Sequence, residues 1–333
     1  MRRRRCIGLI GTAAFSFLRP GLAKANTGLP LVGVLLTLKS DDELARQRVA
    51  AIHRGLQDVG LVEGTNYSLV VRFAEGDLSR WPSLVTELGA LNPRLIIVGG
   101  YGASLTHGLL PQIPLVFTAF AIDPIKAGYA KSYAHPGGML TGNVMNAAGG
   151  EETVTQKRIQ LFKQIVPNLT RLGMIAPEPG YVALREEEAL QKISAQIGFE
   201  LKHYGVRTPD DLEGAFASGR RDNVSAFYIP SEPLLSSNMS RVIAFAEASG
   251  KATVGSFPDW GRAGLLMSYS TDLLDGFRHA GIYAAKILNG ATPGDLPIEQ
   301  ASKFIMVVNQ KTAGKLGIVI PPAVLALADE VIE

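Results

Sequence analysis

Residues 95–104 read Leu95-Ile96-Ile97-Val98-Gly99-Gly100-Tyr101-Gly102-Ala103-Ser104. Four apolar, largely β-branched residues without alternation predict a short strand buried on both faces, as parallel sheets require. The glycines after it mark a tight turn, and a helix opens beyond them. This order superficially matches a dinucleotide fingerprint, but the third glycine is absent. Its position suits another use, because free backbone N–H groups at a helix start, together with the Ser104 hydroxyl, attract a carboxylate or another acceptor-rich group. Tyr101, Gly102 and Ser104 are therefore candidate ligand contacts. The alternative is a glycine-rich turn with no ligand.

Working outward, the same strand-helix rhythm covers the chain. Residues 31–36 (Leu-Val-Gly-Val-Leu-Leu) read as the first strand. Asp41 and Asp42 then stand where a helix start favours negative charge, and Leu44, Val49, Ile52, Leu56 and Val59 form one apolar face before Gly60 ends the helix. A strand at 67–72, a helix at 80–91 and a strand at 115–118 follow. From Arg171 the order returns, with strands at 172–175, 200–206, 226–229 and 253–255 and helices at 181–197, 209–217 and 238–249. A repeated rhythm without repeated sequence predicts an α/β chain of two doubly wound, parallel-sheet lobes.

The first lobe is expected to span 30–145 and the second 146–264, with the chain crossing near Asn143. A further strand at 265–268 and a helix at 272–288 are expected to return the chain to the first lobe through residue 297. Residues 298–333, with a strand at 304–308, would then complete the second lobe. Several crossovers of this kind make a hinge.

At the N-terminus, Arg2 to Arg5 precede an uncharged apolar stretch at 7–18, and Ala23-Lys24-Ala25 follows. That order predicts a secretory signal peptide over residues 1–25, cleaved after Ala25. The segment holds five arginines, one lysine and no acid, so without it the formal net charge changes from +3 to −3. The basic balance then disappears and with it the main argument for a nucleic-acid partner. The only cysteine, Cys6, lies within the same segment, which excludes disulfides and thiolate chemistry from the remainder. Histidines at 53, 107, 135, 203 and 279 show no ligand spacing, and no metal or cofactor is expected. There is no P-loop, no His-Glu-x-x-His and no Gly-x-Ser-x-Gly, so the expectation is a binding protein and not an enzyme.

Doubly wound sheets take ligands beyond the carboxyl ends of their strands. The loops there run at 37–41, 99–104, 118–123, 176–181, 230–234 and 256–260. They begin at Thr37 and carry Tyr101, Phe120, Tyr181, Phe257 and Trp260, with Asn143 at the lobe crossing and Tyr269 just after the crossover strand. Rings at strand ends suit a planar or apolar ligand, although each ring alone also suits core packing. Asp123, Glu232 and Asp259 supply the negative charge an ammonium group requires, or else cap helices.

Longer stretches carry a family resemblance. These are GLQDVGLVEGTNYSLVVRFAEGD (55–77), the Asp123-Pro124 turn with Gly128, His135-Pro136-Gly137-Gly138 leading to Leu140-Thr141-Gly142, GLLMSYS (264–270), KILNGATPGDLPIEQASKF (286–304) and LGIVIPPAVLALADEVIE (316–333). On these the chain resembles the ABC-transporter substrate-binding family whose relatives bind aromatic amino acids such as tryptophan. The resemblance implies a type I periplasmic binding fold, a small-molecule ligand held between the lobes, and delivery to an inner-membrane ABC permease by a periplasmic monomer. It also keeps Glu232 as a ligand contact, at a position where relatives place a polar or acidic residue. An amino-acid-like or aromatic carboxylate is the expected ligand, with a sugar as the main rival. A receptor serving a kinase or chemoreceptor is the alternative role.

Overall fold

The computed structural model describes residues 28–333 other than 101, 121, 146–149, 181–182 and 231. The signal-peptide expectation for 1–25 and the candidate contacts Tyr101 and Tyr181 lie outside the described residues.

Strands β1 (Leu31–Leu36), β2 (Ser68–Phe73), β3 (Leu95–Gly99), β4 (Leu115–Phe120) and β5 (Leu140–Val144) build the first sheet. The second begins with β6 (Arg171–Pro177), β7 (Glu200–Val206), β8 (Ala226–Ile229), β9 (Ala252–Gly255) and β10 (Met267–Thr271). The last strands are β11 (Glu299–Gln300), β12 (Phe304–Asn309) and β13 (Glu330–Ile332). The first sheet has the order β11-β5-β4-β3-β1-β2 and is parallel throughout. The second has the order β13-β12-β10-β9-β8-β6-β7, parallel except where β12 runs against β10. In both, the chain starts one strand in from an edge, steps out to that edge and then winds back across the sheet in the other direction, the doubly wound pattern. Every residue of β3 is buried, which is why its sequence shows no alternation.

Each sheet is covered on both faces. Helix Glu43–Gln57 packs against helix Leu273–Leu288 over the first sheet, with Ile52, Leu56, Phe277 and Ala284 buried between them and β1. The contact is backbone to backbone. A Cβ on Gly55 would fall 1.9 Å from the Arg278 carbonyl oxygen, and one on Gly281 would fall 2.2 Å from that of Ile52. Val59, expected on the same apolar face, lies beyond the helix end and is exposed.

One placement corrects the sequence reading. The strand near residue 265 was expected in the first lobe, but β10 lies in the second sheet, between β9 and β12. Leu265 and Leu266 are buried just ahead of it, and the crossing back comes at Asp272, whose side chain caps the helix that returns to the first lobe. The next crossing is also later than Pro297, because β11 still pairs with Asn143 and Val144 of the first sheet. A helix absent from the sequence reading, Gly150–Ile165, connects the two sheets. No helix among the described residues is long and apolar enough to cross a membrane.

Candidate functional site

The carboxyl ends of the central strands of both sheets face one cleft. Thr37 follows β1, Gly99 and Gly100 close β3, Ala119 lies in β4, Glu232 follows β8 and Phe257 follows β9, and all of them line it. Arg48, Leu273 and Phe277 are added by the two packed helices of the first lobe. The space measures about 730 Å³ including the part open to solvent.

Local backbone chemistry shapes the first-lobe wall. Gly100 adopts φ +66°, a conformation that glycine enters without steric cost. Ala119 sits at φ +52° within the register shift between Phe117 and Phe120, so an alanine is held in left-handed backbone at a β-bulge on the cleft. Gly102 has a different reason. A Cβ there would lie 1.7 Å from the Trp81 indole, whose Nε1 donates to Thr106 at 3.0 Å. The glycine makes room for a buried tryptophan.

Two charged groups line the cleft from opposite lobes. Glu232 is 3% exposed, and its Oε1 accepts the backbone N–H of Ala183, the first residue of helix Ala183–Ile197, at 2.6 Å. Arg48 stands across the cleft on helix Glu43–Gln57, its guanidinium 5.4 Å from the centre of the Phe277 ring. Burial pulls its pKa below the ordinary arginine value, against the pull of Asp259 and Asp42.

The cleft thus brings together Thr37, Glu232 and Phe257 of the residues singled out in the sequence. The other described candidates lie elsewhere. Phe120 is 2% exposed and packs on Phe117 in the first-lobe core. Asp123 accepts the backbone N–H groups of Ile125 and Lys126, and so caps a turn. Asn143 is tied into the lobe crossing, accepting from Thr118 Oγ1 and donating to the Gly276 carbonyl, both at 2.9 Å. Asp259 pairs with Arg262 at 3.0 Å. Tyr269 stacks on Phe304 with an interplanar angle of 13°. Ser104 does not line the cleft, and its buried hydroxyl oxygen has no hydrogen-bond partner among the described residues. Sequence reasoning missed Arg48, although a cation at the position that continues the apolar stripe of Ala45, Ile52 and Leu56 was a visible signal.

Behind the second-lobe wall lies a buried polar cluster. Arg158, 1% exposed, donates to the Tyr228 hydroxyl and, at 2.7 Å, to the Tyr269 carbonyl. The Tyr228 hydroxyl donates to Glu186 at 2.6 Å, and Glu151 lies 3.8 Å from Arg158. Burial pushes the Glu186 carboxyl up to about 8, with Arg158 opposing it. Arg158 loses solvation, but Tyr228, Glu186 and Glu151 more than compensate and raise its pKa. No group of three or more His, Cys, Asp or Glu residues able to hold a metal occurs among the described residues.

A family model described as ABC transporter substrate binding protein matches residues 32–332. A curated tyrosine-binding protein of Clostridioides difficile (strain R20291) is 22% identical over 260 residues, covering 78% of this chain and 73% of the relative. Among solved structures, an ABC domain in complex with L-Trp from Streptococcus pneumonia is 24% identical, covers 91% of this chain and 100% of its own, and superposes with a TM-score of 0.81. An ABC transporter solute binding protein from Bacillus halodurans C-125 with bound myo-inositol is 14% identical, covers 88% and 99%, and reaches 0.61. The fold shared with these structures is the two-lobed type I periplasmic binding fold.

Proposed function

The chain belongs to the ABC transporter substrate-binding protein family, and we propose that it captures a small amino acid, most simply an aromatic one, between its lobes and delivers it to an inner-membrane permease. The observation that carries this reading is the cleft at the strand ends, where Glu232 of one lobe meets Phe257, Phe277 and the Gly99-Gly100 turn. Apolar rings give area and orientation to a ligand body, and a buried carboxylate gives an ammonium group its partner. The tyrosine-binding and L-Trp-bound relatives support an amino acid; the inositol-bound one makes a polyol the rival.

Three chain crossings join the lobes, after β5, between β10 and helix Leu273–Leu288, and between β11 and β12. Such a connection suits hinge closure on a bound solute, by a monomer that needs no cofactor. Delivery to a permease requires export, for which residues 1–25 have the features of a signal peptide cleaved after Ala25. Intact-mass analysis of periplasmic material would show residues 1–25 removed.

A thermal-shift screen of the exported chain against amino acids, aromatic acids, nucleobases and sugars tests the ligand class. A solute present at 100 times its Kd stabilises the native state by about 2.7 kcal/mol. Tyrosine or tryptophan should raise the Tm. A rise with polyols or sugars and none with any amino acid would rule the amino-acid reading out.

A further inference from the structure

We propose that Arg48 is the anion anchor of the cleft, a specificity-determining residue whose guanidinium holds the carboxylate of the bound solute while Glu232 faces its ammonium group. The inference rests on the interlobe cleft being the solute site, as proposed above.

Two arginines stand on helix stripes that face the interior, Arg158 fully buried and Arg48 half-buried. Arg158 has its guanidinium met on several sides, by Tyr228, by the carbonyls of Tyr269 and Ser256, by Thr155 and by Glu151. Arg48 is different. It makes no hydrogen bond and no ion pair among the described residues, and its one close polar contact is the face of Phe277. The two acids that act on it from a distance are already engaged, Asp259 with Arg262 and Asp42 with the Lys39 N–H. A guanidinium carries five N–H donors in a planar fork, and a cation drawn out of water without a partner is unfavourable. A carboxylate arriving in the cleft satisfies the fork in two parallel bonds. The Phe277 face fixes the plane of the fork, since cation–π contact favours a guanidinium lying over the ring.

The division of charge between lobes gives the site its selectivity. A solute bearing both a carboxylate and an ammonium group meets Arg48 of the first lobe and Glu232 of the second, so it bridges the lobes at their strand ends. An amine without the carboxylate leaves Arg48 unmet, and so does a neutral polyol. Discrimination then comes from the group left unpaired as much as from the bond gained.

Isothermal titration on the whole exported chain, comparing wild type, Arg48→Met and Arg48→Lys, tests the assignment with L-tyrosine, L-tryptophan, tyramine, tryptamine and myo-inositol as probes. Arg48→Met should weaken the amino acids at least about 30-fold, the loss expected on removing one partner of a buried charged pair. Arg48→Lys should fall between, because a point charge lacks the fork. Tyramine and tryptamine should bind wild type weakly and Arg48→Met about as weakly, with unfolding midpoints reporting that each variant is folded. Equal amino-acid affinity in wild type and Arg48→Met would remove Arg48 as the anchor and leave the cleft reading standing. An equal loss of the amines in Arg48→Met would make its role structural and also overturn the proposal. Binding of myo-inositol with neither amino acid would overturn both the anchor and the amino-acid reading.

Discussion

Glu232 and Ala183 are joined by a 2.6 Å hydrogen bond, with the carboxylate oxygen accepting the first backbone N–H of helix Ala183–Ile197. On the proposed reading Glu232 has two separable jobs, since the helix start is satisfied by any oxygen acceptor whereas an ammonium ligand is held best by a charge. Glu232→Gln should therefore fold with nearly wild-type stability and lose ligand affinity about tenfold or more, as expected for a charge-assisted bond reduced to a neutral one. Glu232→Ala should lose affinity and also about 1–3 kcal/mol of stability, because the Ala183 N–H is left without its acceptor. Urea unfolding and titration calorimetry separate the two effects. Unimpaired binding by Glu232→Gln would show that the charge has no part in recognition.

The Gly55 and Gly281 contacts set how closely the helices carrying Arg48 and Phe277 approach. Because an added Cβ at Gly281 would meet the Ile52 carbonyl at 2.2 Å, Gly281→Ala must push the helices apart. The expected cost is about 1–3 kcal/mol, typical of overpacking, with weaker ligand binding as a second effect. Chemical denaturation measures the first. An unchanged midpoint would mean that the helices accommodate a methyl group there.

The buried cluster around Tyr228 predicts a pH dependence whose sign follows from Glu186. Its folded pKa, about 8, stands above the ordinary carboxyl value of about 4.3. Between those two values the folded chain keeps a proton that the unfolded chain has released. Its contribution is fully present below the lower value and is lost as pH rises through the higher. Wild type should therefore lose stability between pH 5 and pH 8.5, and Glu186→Gln, which cannot ionise, should lose less. Parallel pH profiles for the two chains would contradict the assignment.

Three chain crossings at one end of two separately packed cores predict domain motion without unfolding. Small-angle scattering should register a smaller radius of gyration at saturating ligand if the free chain is open. An unchanged profile in a chain open at the start would argue against hinge closure.

Much of the fold was legible because central parallel strands are buried on both faces, as the Leu-Val-Gly-Val-Leu-Leu and Leu-Ile-Ile-Val runs are. What escaped shares a physical cause. Helix Gly150–Ile165 buries Val154, Ile159, Phe162 and Ile165, but Arg158 stands in the same stripe and breaks the apolar pattern. Arg48 breaks the stripe of Ala45, Ile52 and Leu56 in the same way. The buried Arg158 is stabilised by tertiary partners that periodicity does not record, and the half-buried Arg48 turns toward a cleft that periodicity does not record either. The misplaced β10 has a related origin, since Met267–Thr271 reads as a strand but nothing local says which sheet receives it. The aromatic residues at strand ends were ambiguous for a further reason. Phe257 reaches the cleft while Phe120, beyond the register shift in β4, packs into the core, and nothing in the local sequence separates the two.

The most direct measurement is a crystal structure of the exported chain grown with L-tyrosine or L-tryptophan. One ligand is expected between the lobes, its carboxylate on the Arg48 guanidinium, its ammonium within hydrogen-bond distance of Glu232 and its ring against Phe257 and Phe277. A ligand seated at the Ser104 helix start, or in the groove lined by Asn143 and Lys303, with Arg48 and Glu232 untouched, would contradict it.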